Sequence, residues 1–280
     1  MLGGKGTRLY PVTRHINKHL LPIGNKPLAY YSITNAILAG ANDLNIIVPE
    51  EFLVTFENLF MDFCQLGLKI QVTPQLEPKG ISDGILLSEK FIGSDNFLLL
   101  LGDNVFYGPH FSSKLVAMSN SSSACDLLLC SVNDPSRFGV ALIENESITQ
   151  VVEKPSQYLS NNAITGIYKF SSEAVDFAKM LSPSDRGELE ITGIISEYIQ
   201  KRQVSYQLLD RGYAWFDAGT LHSFDVCANF IRSIEKNMGY FIGSPEEALY
   251  NREICSSKEL KIYLKDKPQN DYTNYLLDLC

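Results

Sequence analysis

Between residues 27 and 103 the chain alternates at short intervals between two hydrophobic periods. Residues 27–40 and 51–66 carry apolar side chains at helical spacing, as at Phe52, Phe56, Leu59, Phe60 and Phe63, and each stretch stops at a glycine, Gly40 or Gly67. Residues 44–48 and 68–73 read as short strands, and residues 81–91 as another helix. The run Phe97 to Leu101 is unbroken and apolar, the pattern of a buried parallel strand, and it delivers Gly102 and Asp103 at its C-terminal end. Such alternation restricts the chain to a layered α/β fold. Its central sheet is expected to be mixed, mostly parallel and flanked by helices. In sheets of that kind ligands sit beyond the carboxyl ends of the strands, which is where Asp103 would stand.

The middle of the chain is richer in strands, expected at 126–132, 139–144, 148–153, 166–170, 205–209 and 214–217. Helices are expected at 172–180, 189–203, 220–237 and 272–279. No linker divides the 280 residues, so the sequence reads as one main domain, 1–240, with a partly helical C-terminal extension, 241–280. A formal net charge of −8 argues against broad nucleic-acid binding. The longest apolar runs are strand-sized and far short of a membrane span. Six scattered cysteines with no C-x-x-C pair argue against a zinc site or a disulfide framework, and the cytoplasm is the expected compartment.

Three features carry chemistry. Gly3, Gly4 and Gly6 fall within four positions and are followed by Thr7 and Arg8, with Lys18 ten residues beyond. Glycines let the backbone turn tightly and bring N–H groups to an anion, and two cations add the charge that a triphosphate needs. Asp103 and Asp217 each stand at the end of a strand, with a glycine within two residues. One carboxylate so placed is an ordinary turn former or helix cap; two could share a Mg²⁺. Gln75, in the loop that runs to Gly80, offers both a donor and an acceptor, as reading the imide edge of a pyrimidine requires.

The pairing of Gly3-Gly4-Lys5-Gly6-Thr7-Arg8-Leu9 with Lys18-His19-Leu20-Leu21-Pro22 resembles the signature of the sugar-1-phosphate nucleotidylyltransferases. The resemblance extends over essentially the whole chain. It implies a Rossmann-like nucleotidyltransferase fold and an enzyme that joins dTTP to glucose 1-phosphate, with Mg²⁺ as cofactor, in a cytoplasmic homotetramer. By the same resemblance Asp103 and Asp217 hold the metal, Arg8 and Lys18 hold the triphosphate, and Gln75 with Gly80 reads the base. Gly139, Glu153 and Ile164 bind the sugar, and Lys154 binds its phosphate. Several positions depart from the pattern: Leu2 for Ala, Phe138 for Tyr, Ser82 and Asp83 in the G-L-A-Q-A segment, and Gly193 for Asp. Met1 and Leu2 alone stand where family members carry an apolar strand. Two alternatives stay open on sequence: a nucleotide-sugar-binding homologue without turnover, and the same chemistry with UTP or another hexose 1-phosphate.

Overall fold

The computed structural model describes residues 1–4 and 6–280; Lys5 of the glycine stretch lies outside the described residues. In chain order the strands are β1 (Pro22–Ile23), β2 (Lys26–Pro27), β3 (Asp43–Pro49), β4 (Lys69–Gln75), β5 (Phe97–Leu100), β6 (Asn104–Tyr107), β7 (Cys125–Ser131), β8 (Gly139–Glu144), β9 (Ser147–Glu153), β10 (Asn162–Phe170), β11 (Val204–Leu209) and β12 (Ala214–Asp217). The α-helices are α1 (Ala29–Leu38), α2 (Leu53–Phe60), α3 (Ile81–Leu87), α4 (Glu89–Ile92), α5 (Phe111–Ser119), α6 (Glu173–Met180), α7 (Ile191–Gln200), α8 (Leu221–Met238), α9 (Pro245–Asn251), α10 (Ser257–Leu264) and α11 (Asp271–Asp278). The chain divides into two compact units. One comprises Met1, Gln75–Leu101 and Tyr107–Trp215; the other comprises Leu2–Pro74, Gly102–Phe106 and Phe216–Cys280.

The first unit is built on a six-stranded sheet of order β11-β7-β10-β8-β9, with β5 also paired to β10. The sheet is mixed, as expected. Within it β11 and β7 run parallel, while β10 is antiparallel to β5, β7 and β8. The run at 97–101, read from sequence as a parallel strand, is therefore antiparallel to its partner. Its unbroken apolar character records burial and carries no information on direction. Strand β10 is buried from Ala163 to Phe170 and changes partner along its length. Ala163 faces Val140 of β8, and from Ile167 onward the strand faces β5, with a register shift against β7 between Ile164 and Tyr168.

Helices α6 and α7 cover this sheet with an aromatic series. Tyr168 stacks on Phe170 at 5.8 Å, Phe170 on Tyr198 at 5.9 Å, and Phe177 meets Tyr198 edge-on at 4.9 Å. Burying side chains of this size stabilises by about 1.5–3 kcal/mol each. A Cβ at Gly193 would stand 2.6 Å from Leu181 Cδ2, so the glycine that replaces the family's Asp lets α7 pack closely there.

The second unit gathers Ile23, Leu28, Tyr31, Val105, Ala218, Cys227, Ala228 and Ile231 into its core. Thr220 and Ser223 form a capping box that starts α8, and Gly239, at φ 74°, ends it. Residues 241–280 belong to this unit. Their attachment includes Arg252, which donates to Ile37 O at 2.6 Å. It also includes an enclosed ammonium: Lys26 bonds Glu235 Oε1 at 2.9 Å and lies 4.8 Å from the Phe241 ring centre and 5.4 Å from that of Tyr272. Burial pulls the Lys26 pKa below the ordinary lysine value, against the raising effect of Glu235. Among the described residues no helix is long and apolar enough to cross a membrane.

Candidate active site

The glycine stretch lies in the second unit and is shaped by backbone conformations that favour glycine. Gly4 has φ 98° and Gly6 has φ 60°. Gly6 precedes the 3₁₀ turn Thr7–Leu9, and its carbonyl accepts from Thr13 Oγ1 at 2.8 Å. Leu9 is buried and anchors the turn, while Thr7 and Arg8 stay exposed. Lys18 opens a further 3₁₀ turn, Lys18–Leu20, capped by Asn17, whose Oδ1 accepts from the His19 N–H at 2.9 Å. The buried leucine and the capped turn convert a glycine-rich segment into a fixed loop.

Four of the predicted polar groups form two pairs in this unit. The Lys18 ammonium donates to Asp103 Oδ2, and the Asn104 amide donates to Asp103 Oδ1 at 2.9 Å. Burial alone would raise the Asp103 pKa, but the Lys18 ammonium, His19 and these hydrogen bonds hold the carboxyl well below the usual carboxylate range. Burial, and then Lys18 beside it, pull the His19 imidazole well below its ordinary value. Strands β6 and β12 pair with each other, and the Ala218 N–H donates to Asp103 O at 2.8 Å. That bond brings the backbone beside Asp217 next to the backbone of Asp103. A Cβ built on Gly219 would be 2.8 Å from an Arg8 guanidinium nitrogen and 3.0 Å from Asp217 Oδ1. Arg8 and Asp217 thus converge on a spot that only a glycine leaves open.

Two carboxylates of hard oxygen character, one held firmly ionised, suit a Mg²⁺ that draws its remaining ligands from phosphate oxygens and water. Among the described residues no group of three or more His, Cys, Asp or Glu is placed to hold a metal ion. Asp103 and Asp217 are the carboxylates that would hold such a cation.

The remaining predicted residues lie in the first unit. Gly139 opens β8 directly opposite Glu153, the last residue of β9. A Cβ on Gly139 would be 3.2 Å from Glu153 Oε2, 3.3 Å from Thr192 Cγ2 and 3.5 Å from Ile164 Cδ1. The expected sugar-side residues Glu153 and Ile164 therefore stand together beside Gly139. Lys154 follows at φ 44°, its N–H bonded to Phe138 O at 2.9 Å, and its side chain is half-exposed with Nζ 3.8 Å from Glu153 Oε1. Burial, then the neighbouring Glu190, push the Glu153 pKa up, against Lys154 and Arg186.

Sequence reasoning missed three contributors on this side. Arg186 lies 2.8 Å from Glu190 Oε2, 3.2 Å from Glu188 Oε2 and 3.4 Å from Glu153 Oε1, so one guanidinium gathers three carboxylates. Trp215 packs on Phe138 with ring centres 4.9 Å apart. Thr192 borders Gly139. All three stand in motifs visible in the sequence, but the groups they touch are distant along the chain.

Gln75 ends β4 and is 5% exposed. Gly80 has φ 100°, and a Cβ there would meet the Leu189 backbone at 2.7 and 2.8 Å. The loop between them is tied to the same segment: Leu189 N–H donates to Lys79 O at 2.8 Å, and Ser82 N–H to Leu189 O at 3.3 Å. Asp83 accepts a 2.7 Å hydrogen bond from Gln75 Nε2. Ahead of the glycines, the Met1 amine donates to Leu100 O in the first unit, and the Leu2 N–H to Ile47 O in the second, both at 2.8 Å.

Comparison with known proteins shows the family. A model of the nucleotidyl transferase family matches residues 1–233. The glucose-1-phosphate thymidylyltransferase of Neisseria meningitidis is 37% identical over 280 residues, which is all of this chain and 97% of the relative. A Bacillus anthracis protein described as a glucose-1-phosphate thymidylyltransferase, in complex with sucrose, superposes with a TM-score of 0.76 at 35% identity, covering 83% of this chain and 94% of the other. A UDP-glucose pyrophosphorylase in complex with UDP-glucose shares the fold, with a TM-score of 0.71 at 22% identity, over 82% of this chain and 95% of the other. The chain belongs to the nucleotidyl transferase family, and within it to the relatives of the glucose-1-phosphate thymidylyltransferases.

Proposed function

We propose that the chain makes dTDP-glucose and pyrophosphate from dTTP and glucose 1-phosphate. A phosphate oxygen of glucose 1-phosphate attacks the α-phosphorus of dTTP; that P–O bond forms as the bond to the β-phosphate oxygen breaks. The attacking oxygen is already anionic, so no general base is required, and the protein's task is positioning and charge neutralisation. Arg8 and Lys18 hold the triphosphate and the departing pyrophosphate, with the N–H groups around Gly3, Gly4, Gly6 and Thr7 beside them. Gln75 and Gly80 take the base. Gly139, Glu153 and Ile164 take the sugar, and Lys154 takes the attacking phosphate. Asp103 and Asp217 would hold Mg²⁺, which when bound supplies charge neutralisation at the nucleotide phosphates.

The observation that carries this reading is the convergence of Lys18 on Asp103, and of Arg8 with Asp217 on Gly219, beside a loop of left-handed glycines. This arrangement supports a phosphate-binding role, with two carboxylates that would hold a cation. The names of the relatives supply the base and the sugar. The resemblance extends the proposal to a cytoplasmic homotetramer supplying dTDP-rhamnose biosynthesis. The test is pyrophosphate release across dTTP, UTP and dCTP with glucose 1-phosphate and other hexose 1-phosphates. Release that is greatest with dTTP and glucose 1-phosphate supports the assignment. Release that is greatest with UTP or another sugar reassigns the substrates, and none with any pair overturns the enzyme reading.

A further inference from the structure

The Gln75 amide can present itself in two ways. Its oxygen and nitrogen have nearly the same shape, and a half-turn about the terminal bond exchanges an acceptor for a donor. Which face a ligand meets is decided by what holds the other face. Here that group is Asp83, whose carboxylate oxygens only accept. Nε2 therefore points to Asp83 Oδ2, at 2.7 Å, and the turned amide would set two acceptors against each other at the same distance. Asp83 itself is fixed. It lies in the first turn of α3, which follows Gly80 at φ 100°, and the neighbouring Ser82 N–H is tied to Leu189 O at 3.3 Å. Gln75 is buried, so few other rotamers are open to it.

We infer that Asp83 is a positioning residue that locks the Gln75 amide, and that this lock selects an imide pyrimidine, thymine or uracil, over cytosine. This rests on the reading that Gln75 faces the base. With one N–H committed to Asp83, the amide keeps a fixed carbonyl acceptor and one remaining N–H for the ligand. An imide edge complements that pair: its N3–H needs an acceptor and the carbonyl beside it needs a donor. Cytosine carries an acceptor at N3 and a donor at N4, so it needs the amide turned over. An Asp at this position, where the family has Gln, is thereby given a role that depends on its being unable to donate.

The test compares binding of dTTP and dCTP, with Mg²⁺, by titration calorimetry on the wild type, Asp83→Asn and Asp83→Glu, alongside pyrophosphate release. Asn has the shape of Asp and bonds Gln75 in either orientation, so the fold is kept and the lock is lost. The two nucleotides carry the same triphosphate, so the change of charge cancels in their ratio. The expected result is a wild-type preference for dTTP of at least tenfold in Kd, reduced to threefold or less in D83N and restored in D83E. A structural role for Asp83 would shift both affinities together. An unchanged ratio in D83N overturns the inference. Selective binding with no pyrophosphate release, and a collapse of the ratio in D83N, supports the inference while overturning the proposed reaction. Binding of neither nucleotide overturns both.

Discussion

Gly219→Ala puts a methyl group where Arg8 and Asp217 converge. The new Cβ would lie 2.8 Å from the guanidinium nitrogen, against the 3.4 Å at which ordinary contact begins, so the Arg8 head must retreat by roughly 0.6 Å. Asp217 Oδ1, at 3.0 Å, must give way by roughly 0.4 Å. Both are side-chain ends, so the backbone has no reason to move. Gly→Ala at a permissive φ also gains about 0.4–1 kcal/mol through the unfolded state, which offsets the overlap. The fold is therefore expected to hold, with a melting temperature within a few degrees of the wild type. Transfer is a different matter, because a displacement of about 1 Å in a positioned group can cost about 100-fold in rate. A shift somewhat smaller than that should lower kcat/KM for pyrophosphate release by about 10- to 100-fold. The assay is steady-state release with dTTP and glucose 1-phosphate, repeated in an Arg8→Ala background. There the methyl group has lost its main obstacle, so the added cost should fall to a few-fold. A kcat/KM within twofold of the wild type in G219A, or an equal cost in both backgrounds, would refute the placing of Arg8 and Asp217 around this glycine.

Three further outcomes follow from the same geometry. Asp103→Asn removes the charge facing Lys18 and one of the two proposed cation ligands, so transfer should fall by at least about 100-fold while the circular dichroism spectrum stays native; near-normal turnover would remove Asp103 from the site. Glu235→Ala leaves the Lys26 ammonium buried among rings without its carboxylate and should cost about 3–5 kcal/mol in urea unfolding, whereas a loss under 1 kcal/mol would show that Asn25 and the rings suffice. His19 is kept neutral in the fold while the unfolded chain binds a proton below about pH 6.5, so its contribution is fully present above that pH and is lost as the pH falls below it, by up to about 1.4 kcal/mol per unit. Unfolding at pH 7.5 and 5.5 should therefore show a steeper loss in the wild type than in His19→Asn, and equal slopes would contradict the neutral state.

The features legible in the sequence were those in which a local backbone demand coincides with a chemical one. Gly4 and Gly6 have positive φ values, which favour glycine, and they lie close in sequence to Arg8 and Lys18, so a short window holds the signal. Asp103 and Asp217 were legible for a similar reason, each marking a strand end. Strand direction was not legible: residues 97–101 look alike whether β10 runs with them or against them. Helix α5 was also overlooked, because its apolar residues Phe111, Leu115 and Met118 are diluted by serines. The ties between distant positions were invisible for want of any local mark. Lys26 finds Glu235 across 209 residues, and nothing near either one announces it. The Gln75–Asp83 bond spans eight positions through a turn. In the sequence Asp83 is a departure from the family pattern without a partner in view; in the structure its carboxylate accepts from Gln75.

Transfer of a nucleotide to a sugar phosphate in one step can be followed by phosphorus-31 NMR of the protein with equimolar dTTP, glucose 1-phosphate and Mg²⁺. Both substrates should disappear together, and dTDP-glucose and pyrophosphate should appear in equal amounts, with no orthophosphate. Loss of dTTP while glucose 1-phosphate persists, or no change in either, would contradict such a transfer.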